Sequence, residues 1–311
     1  MMKHERPGES SSDTQKPIKV LIAGLARNCR TTLVPSIRQL QNLFGSDVSL
    51  SYFLVESDST DGTQQLLEKL ARKIPGFNHK ALGNLQSEIP SRILRIAHCR
   101  NQYLRYLRDQ LTSGDRIEYL VVADFDGVNS RISPPQTIEK LFSRGTIVSA
   151  NQKGRYYDIL ALRASAWVEE DYRTSITKDP KIINRFTGYL NFVSSKQRRI
   201  SKNGPSIKVE SAFGGLAIYP IHLLDGCKYE PKELSSGVWE CEHVGFNAQA
   251  LKNGGQMIIL PSLRNKAPLA HTLFARWLPR FVFKSLIALG AKNFYKKQAK
   301  NATKFKSQPF Q

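Results

Sequence analysis

Short apolar runs alternate with amphipathic segments over the first half of the chain. The apolar runs have the length and the β-branched content of buried strands, and they cover residues 18–24, 48–55, 117–123 and 146–150. Apolar residues at helical spacing predict helices between these strands, over residues 32–43, after a capping stretch at 59–63, over 92–112, and from Pro134-Pro135 to about Phe142. Further strands are predicted at 213–219 and 257–260, with a helix from about 240 to 253 between them.

Strands separated by helices in this way predict an α/β fold, with a mostly parallel mixed sheet flanked by helices on both faces. Ligands of such sheets bind beyond the carboxyl ends of the strands. The residues that directly follow each strand are therefore the ones in which we look for chemistry.

The chain is strongly basic, with 46 lysines and arginines against 26 acidic residues and a net charge of +20. This excess indicates a polyanionic partner, such as a phosphorylated substrate, an anionic membrane surface or nucleic acid. No acidic residue follows Glu242, while twelve basic residues do. We therefore expect a polar tail over residues 1–16, one domain over 17–271 and a basic amphipathic segment over 272–311.

The composition excludes several classes of protein. The four cysteines are widely spaced without a CxxC pair, so neither a zinc ribbon nor a disulfide scaffold is expected. The N-terminal residues contain no apolar signal core, and no run of 18 apolar residues could span a bilayer. These features predict a cytoplasmic protein.

Acidic residues follow two of the predicted strands. Glu56 closes the second strand, where a carboxylate is well placed to accept hydrogen bonds from a ribose or a base. Asp124 and Asp126 follow the third strand, on the same side of the backbone and just before Gly127. Two carboxylates at this spacing suit Mg²⁺ or Mn²⁺, and such an ion would neutralise a diphosphate.

Two other groups of residues carry candidate chemistry. Arginines of the helix before the third strand, Arg100 among them, could bind phosphate oxygens. Glu240, Glu242 and His243 lie at the start of a helix beside Trp239. They form either a helix-capping sequence or an acid–base or metal cluster.

Taken in order, these motifs resemble a GT-A glycosyltransferase over about residues 18–271. The order is a strand before an Ala-Arg-Asn loop, an acidic strand end, an Arg-Asn helix, the Asp124-Phe125-Asp126 strand end, a Gly-Gly strand and an acidic helix start. The stretch from Trp239 to Phe246, with Phe213-Gly214-Gly215 before it, resembles the fungal capsule-associated α-1,3-mannosyltransferases and their bacterial relatives.

The resemblance implies a role for each of these residues. Ala23 to Arg27, Glu56 and Asp58 would line the nucleotide pocket, with Arg100 near the phosphates. Asp124 and Asp126 would hold Mn²⁺ or Mg²⁺, with His271 as the third ligand and His243 as the competing candidate. Glu242, with Glu240 beside it, would deprotonate the acceptor hydroxyl in an inverting enzyme and orient the acceptor in a retaining one.

The implied donor is a GDP- or UDP-linked sugar, and the implied acceptor is a glycan or a lipid-linked glycan. Aromatic and aliphatic residues alternate with lysine and arginine over 272–297, so this segment is expected either to lie on an anionic membrane surface, on the inner face, or to dock on the domain. No known nucleic-acid-binding module accompanies it, so nucleic acid is not an expected partner.

Two other functions remain open. The Asp124-Phe125-Asp126 motif also matches the nucleophile motif of haloacid-dehalogenase-type phosphatases, although that motif usually lies near the N-terminus. The basic chain could alternatively be a non-catalytic membrane adaptor, which would have no need of Glu56, Asp124 and Asp126.

Overall fold

The computed structural model describes residues 17–179, 182, 185–234 and 238–267. Its elements are eight strands and six α-helices within these residues. The strands are β1 (Ile18–Ala26), β2 (Val48–Glu56), β3 (Phe77–Ala81), β4 (Tyr119–Ala123), β5 (Thr146–Lys153), β6 (Ile207–Val209), β7 (Leu216–Pro220) and β8 (Gln256–Lys266). The helices are α1 (Leu33–Phe44), α2 (Thr63–Lys73), α3 (Arg92–Thr112), α4 (Tyr172–Lys178), α5 (Arg185–Phe192) and α6 (Glu242–Lys252).

The eight strands form one sheet in the order β3-β2-β1-β4-β7-β5-β8-β6. The strands β3, β2, β1 and β4 are parallel to one another, and β5 is parallel to β8. Strand β7 runs antiparallel to both β4 and β5, and β6 runs antiparallel to β8. The predicted α/β class, with a mostly parallel mixed sheet flanked by helices, is confirmed.

The core has two layers because side chains alternate across the sheet. Leu21 of β1 belongs to the layer that includes residues of α3 and α6, such as Tyr103 and Phe246. Its neighbour Ile22 belongs to the opposite layer, which includes Leu40 of α1 and residues of α2. Both faces of the central strands are therefore covered by helices.

One predicted helix is wrong. Pro134-Pro135 does not start a helix that extends to Phe142, and the structure has only a short 3₁₀ turn over Ile138–Leu141. The backbone of Ser133 exchanges hydrogen bonds with that of Arg264. This pairing with β8 keeps the chain extended before the prolines, so that a helical turn begins only after them.

The Gly-Gly sequence forms a turn before β7. Gly214 and Gly215 have φ angles of +63° and +79°, and β7 begins only at Leu216. A Cβ on Gly214 would lie 2.6 Å from the Ala150 carbonyl oxygen. The absence of a side chain at Gly214 therefore permits a close approach to neighbouring protein backbone.

Three predictions concern residues that the structure does not describe. They are the polar tail over 1–16, the basic segment over 272–311 and the boundary at 271, and all three stay predictions. None of the helices within the described residues is long and apolar enough to cross a bilayer.

The fold leaves no space for a side chain at Gly24, in β1. A Cβ at this position would lie 2.2 Å from the Ala123 carbonyl oxygen and 2.5 Å from the Phe125 ring. We expect Gly24→Ala to lower the free energy of unfolding by roughly 1–3 kcal/mol, because the added methyl group overpacks a rigid backbone contact. Chemical denaturation of the purified protein measures this change.

Gly145→Ala is the matched control for this substitution. Nothing lies within 4 Å of a Cβ at Gly145. Its unfolding free energy should therefore stay within about 0.5 kcal/mol of wild type. Equal stability of the Gly24→Ala protein and this control would contradict the packing at the β1–β4 contact.

Candidate active site

A cavity of about 480 Å³ opens at the carboxyl ends of β1, β2 and β4. One face of α3 and the first residues of α6 complete its polar side. The charged residues that line the cavity are Arg27, Arg92, Arg95, Arg100, Asp124, Asp126, Asp158 and Glu242. It lies where an α/β sheet of this kind places its ligands.

The turn after β4 directs two carboxylates toward this cavity. Asp124 and Asp126 both line it, while the Phe125 ring between them is buried in the core. The N–H of Asp124 donates to the Gly215 carbonyl (2.9 Å), and the N–H of Val128 donates to Asp126 Oδ1 (3.2 Å). Gly127, with a φ of +107°, lets the chain turn back immediately afterwards.

Two buried amide side chains stabilise this turn through hydrogen bonds. The Asn129 amide donates to the Asp124 carbonyl (2.9 Å) and to the Gly215 carbonyl (2.6 Å). Asn265 donates to Asn129 Oδ1 (3.1 Å) and to the Gly214 carbonyl (2.7 Å). The carboxylate turn, the Gly-Gly turn and β8 are therefore fixed to one another by directional bonds, which favours a preorganised site.

The Asp124 carboxyl group has an unusual electrostatic environment. Burial and, to a smaller extent, the nearby Asp126 carboxylate raise its pKa to about 8, while Arg100 opposes the rise. A group with a pKa shifted this far, at the wall of a cavity, is typical of a functional site.

Arg100 connects Asp124 to Glu242. Its Nε donates to Glu242 Oε1 (3.1 Å), and its terminal nitrogen NH2 lies 3.8 Å from Asp124 Oδ1. Its other terminal nitrogen donates to the Tyr103 hydroxyl (3.3 Å), which donates in turn to the Tyr229 hydroxyl (2.7 Å). Only about 4% of Arg100 is exposed, so this guanidinium is a buried charge held by two carboxylates and a phenol.

His243 lies next to Glu242 in the same wall. Its ring stacks on Phe213 with a centroid separation of 4.0 Å, and its Nε2 lies 3.8 Å from Glu242 Oε1. Burial, together with the Arg100 charge, lowers the pKa of His243 well below its usual value, so the ring is neutral at pH 7. Neither ring nitrogen has a hydrogen-bond partner among the described residues.

The residues expected in the nucleotide pocket divide into two groups. Arg27 lines the cavity, where its guanidinium donates to Gln86 Oε1 (2.8 Å). Leu25 and Ala26 line it as well, whereas Ala23, Gly24, Glu56 and Asp58 do not. Ala23 is fully buried in β1, Glu56 accepts the Ser59 N–H (2.9 Å), and Asp58 accepts the Gln86 N–H (2.8 Å).

Asp58 still contributes to the cavity indirectly. Its Oδ2 lies 3.5 Å from Nε of Arg95, and Arg95 lines the cavity. The carboxylate of Asp58 therefore fixes an arginine of the wall.

The two glutamates at the start of α6 occupy different environments. Glu242 lines the cavity, whereas Glu240 does not. Glu240 Oε1 accepts a hydrogen bond from Arg163 (3.0 Å). The catalytic role expected for Glu240 has no support from this placement, and the metal ligand expected at His271 lies outside the described residues.

Asp158 is a cavity residue that the sequence analysis missed. It follows β5 at the same edge of the sheet, and its Oδ2 accepts the Gly214 N–H (3.0 Å). Its charge also contributes to the raised pKa of Asp124. It lies eight residues beyond the end of the fourth predicted strand, so it is not among the residues that directly follow a strand, as Asp124 is.

The carboxylates fit a divalent cation that a substrate helps to bind. No group of three or more histidine, cysteine, aspartate or glutamate side chains within the described residues could hold a metal ion by itself. Mg²⁺ and similar ions are, however, often held by one or two carboxylates together with substrate phosphates and water. Asp124 and Asp126 meet this requirement, and a bound cation would relieve the repulsion that raises the pKa of Asp124.

No family model matches this chain, and no curated protein matches it in sequence. Similar solved structures include Staphylococcus aureus TarS 1–349, at 12% identity over 91% of this chain and 74% of that one, with a TM-score of 0.41. Another is the mannosyltransferase PcManGT from Pyrobaculum calidifontis in complex with GDP-Man and Mn²⁺, at 16% identity over 97% of this chain and 77% of that one, with a TM-score of 0.42. Because both TM-scores lie below 0.5, these likenesses assign neither a family nor an activity to this chain.

The buried pair of Arg100 and Glu242 gives a prediction about stability. We expect Arg100→Met to cost about 3–5 kcal/mol of unfolding free energy, because it leaves the Glu242 carboxylate buried without its cation. The double variant Arg100→Met/Glu242→Met should lose less than Arg100→Met alone. Urea denaturation of the single and double variants measures the coupling.

The exposed ion pair of Lys228 and Glu230 is the control for these variants of the buried pair. Because water screens this pair, Lys228→Met should change the unfolding free energy by no more than about 1 kcal/mol. A double variant at 100 and 242 that loses as much as the two single variants together would rule out the coupling.

The raised pKa of Asp124 predicts how stability depends on pH. The folded protein binds the Asp124 proton more tightly than the unfolded chain does, so this carboxyl group makes the fold less stable as pH rises from about 4 to 8. Asp124→Asn removes that effect. In a chelating buffer, the melting temperature of the variant relative to wild type should increase between pH 5 and pH 8.5, whereas a constant difference would contradict the shift.

Proposed function

We propose that this protein is a metal-dependent glycosyltransferase. It would move a hexose, with mannose favoured, from a GDP- or UDP-linked sugar to a hydroxyl group of a glycan or of a lipid-linked acceptor, in the synthesis of a surface polysaccharide or glycolipid. The observation that supports this function most directly is the placement of Arg100. This one buried guanidinium lies between the Asp124 carboxylate and the Glu242 carboxylate, and all three residues line one cavity.

The donor half of the proposed site consists of Asp124, Asp126 and the arginines. Asp126 is exposed to solvent, and Arg27 and Arg92 are exposed cations on the same cavity wall. These arginines would bind the oxygens of a diphosphate, and the two aspartates would hold Mn²⁺ or Mg²⁺ against it. Such an ion, when bound, neutralises the charge that develops on a leaving diphosphate.

The acceptor half of the proposed site centres on Glu242. Arg100 fixes one oxygen of the Glu242 carboxylate, and the Cys241 thiol donates to the other (3.7 Å). The second lone pair of that oxygen could accept a hydrogen bond from an acceptor hydroxyl group in the cavity. In an inverting transfer Glu242 would accept the proton of that hydroxyl, and in a retaining transfer it would only orient the acceptor. The Arg163–Glu240 pair would support the start of α6 without touching substrate.

The proposed location is the inner face of a membrane. The support for it is the basic amphipathic sequence of residues 272–297, which would bind an anionic lipid surface and keep the cavity near a lipid-linked acceptor.

Nucleotide binding tests the donor half of the site. We expect one nucleoside diphosphate, GDP or UDP, to raise the melting temperature by several degrees in the presence of Mn²⁺, because a ligand at 100 times its Kd adds about 2.7 kcal/mol of stability. The rise should require the metal. It should disappear in Asp126→Asn, which removes one metal-binding charge from an exposed position and keeps a side-chain oxygen to accept the Val128 N–H.

Asp109→Asn is the matched control, because Asp109 is an exposed residue of α3 that does not line the cavity. This variant should respond to the nucleotide as wild type does. A folded protein that responds to neither GDP nor UDP would contradict the transferase function. Release of inorganic phosphate from phosphomonoesters, abolished by Asp124→Asn, would favour a phosphatase instead.

A further inference from the structure

The cavity has a second wall whose chemistry differs from that of the charged wall. This wall is formed by the segment 154–200, between β5 and β6. Besides Tyr157 and Asp158, its residues that line the cavity are Ile159, Leu160, Ala161, Tyr172, Tyr189 and Val193. No lysine, arginine, asparagine or glutamine from the described part of this segment lines the cavity. We call these six residues the apolar wall.

The polar atoms on this side of the cavity are few. Asp158 already accepts the N–H groups of Gly214 and Ala161. Burial raises the pKa of the Tyr172 hydroxyl to about 12, and burial also raises the pKa of Tyr189. Both tyrosines are only partly exposed to solvent.

The apolar wall continues up to the carboxylate that would face the acceptor. Tyr172 and Cys241, the residue before Glu242, both line the cavity. On the other side of Glu242, the neutral His243 ring stacks on Phe213, which also lines the cavity. Glu242 is therefore a polar group bordered by apolar and aromatic surface.

Of these six residues, only the two tyrosines could offer a polar side-chain atom to a sugar hydroxyl. Each sugar hydroxyl that leaves water needs a hydrogen-bond partner, and an unpaired one costs free energy. An alkyl or isoprenoid chain has no such requirement and gains free energy in proportion to the apolar area that it buries.

We infer that the acceptor carries an apolar aglycone, an alkyl or isoprenoid chain, which lies against the apolar wall while a hydroxyl group of its polar end faces Glu242. This inference rests on the proposed transferase function and narrows its acceptor to the lipid-linked class. Leu160 is partly exposed within the apolar wall, so it is the residue best placed to contact the alkyl or isoprenoid chain of the acceptor.

The inference is tested by measuring how simple alkyl glycosides bind to the whole protein. Methyl, hexyl and octyl β-D-glucoside are titrated into the protein by calorimetry, below their micelle concentrations and with Mn²⁺ and the nucleoside diphosphate present. Affinity should rise with chain length, with octyl glucoside binding at least tenfold more tightly than methyl glucoside. Equal affinities across the three glycosides would overturn the inference.

Three variants of the protein show where the alkyl chain of octyl glucoside binds. Leu160→Asn should reduce the affinity for octyl glucoside at least threefold and leave nucleotide binding unchanged, while Leu160→Met should restore it. Val34→Asn is the matched control, since Val34 is an exposed apolar residue of α1 outside the cavity, and it should bind octyl glucoside as wild type does. Octyl glucoside binding that Leu160→Asn leaves intact would place the chain elsewhere and overturn the inference.

The two proposals fail in different ways. A protein that binds no nucleoside diphosphate contradicts the transferase function, and the acceptor role of the apolar wall with it. If the protein binds the nucleotide with Mn²⁺ but does not distinguish octyl from methyl glucoside, the transferase proposal stands and only the lipid-linked acceptor is ruled out.

Discussion

The buried guanidinium of Arg100 is the interaction on which the arrangement of this site depends. A charge that is almost completely removed from water is tolerated only when it is paired and hydrogen-bonded. Here the Glu242 carboxylate, the Tyr103 hydroxyl and the more distant Asp124 carboxylate together meet that requirement. The same contacts fix the start of α6 against the middle of α3, so the position of Glu242 follows from the burial of Arg100.

The second constraint is the close approach of backbone segments at the carboxyl edge of the sheet. Gly24, Gly214 and Gly215 all lie where a side chain would collide with a neighbouring segment. Because β7 runs antiparallel to β4, the turn that precedes it meets the turn that follows β4. Asn129 and Asn265 then bond to both turns, which gives Asp124 a rigid support.

The sequence was sufficient to predict the parts of the fold that follow from apolar periodicity. Strands β1, β2, β4 and β5 each contain a short apolar run, and α3 was predicted with the bounds that it has in the structure. Strand β3 was missed because it is a sheet-edge strand with the mostly polar sequence Phe77–Ala81. The helices α4 and α5 were missed because they are short, at 7 and 8 residues, and their stability depends on tertiary packing more than on local propensity.

The residues of the candidate site could be predicted only where they lie at the end of a strand or at the start of a helix. Asp124 and Asp126 lie in the cavity because they follow a buried strand, and Glu242 lies there because it begins a helix at the same edge. The pairing of Arg100 with Glu242 joins residues 142 positions apart, which no local pattern encodes. Glu56 and Asp58 also lie at a strand end, but their carboxylates accept nearby backbone N–H groups and do not line the cavity.

The 21-residue helix α3 carries Arg92, Arg95 and Arg100 along one face of the cavity. A helix of this length behaves as a rigid rod, so these three side chains keep a fixed spacing along its axis. The distance from the arginines of its first turn to the pair of Arg100 and Glu242 is therefore set by the helix and not by the loops around the cavity. The two charged regions of the cavity share one spacing that is built into the backbone of a single element.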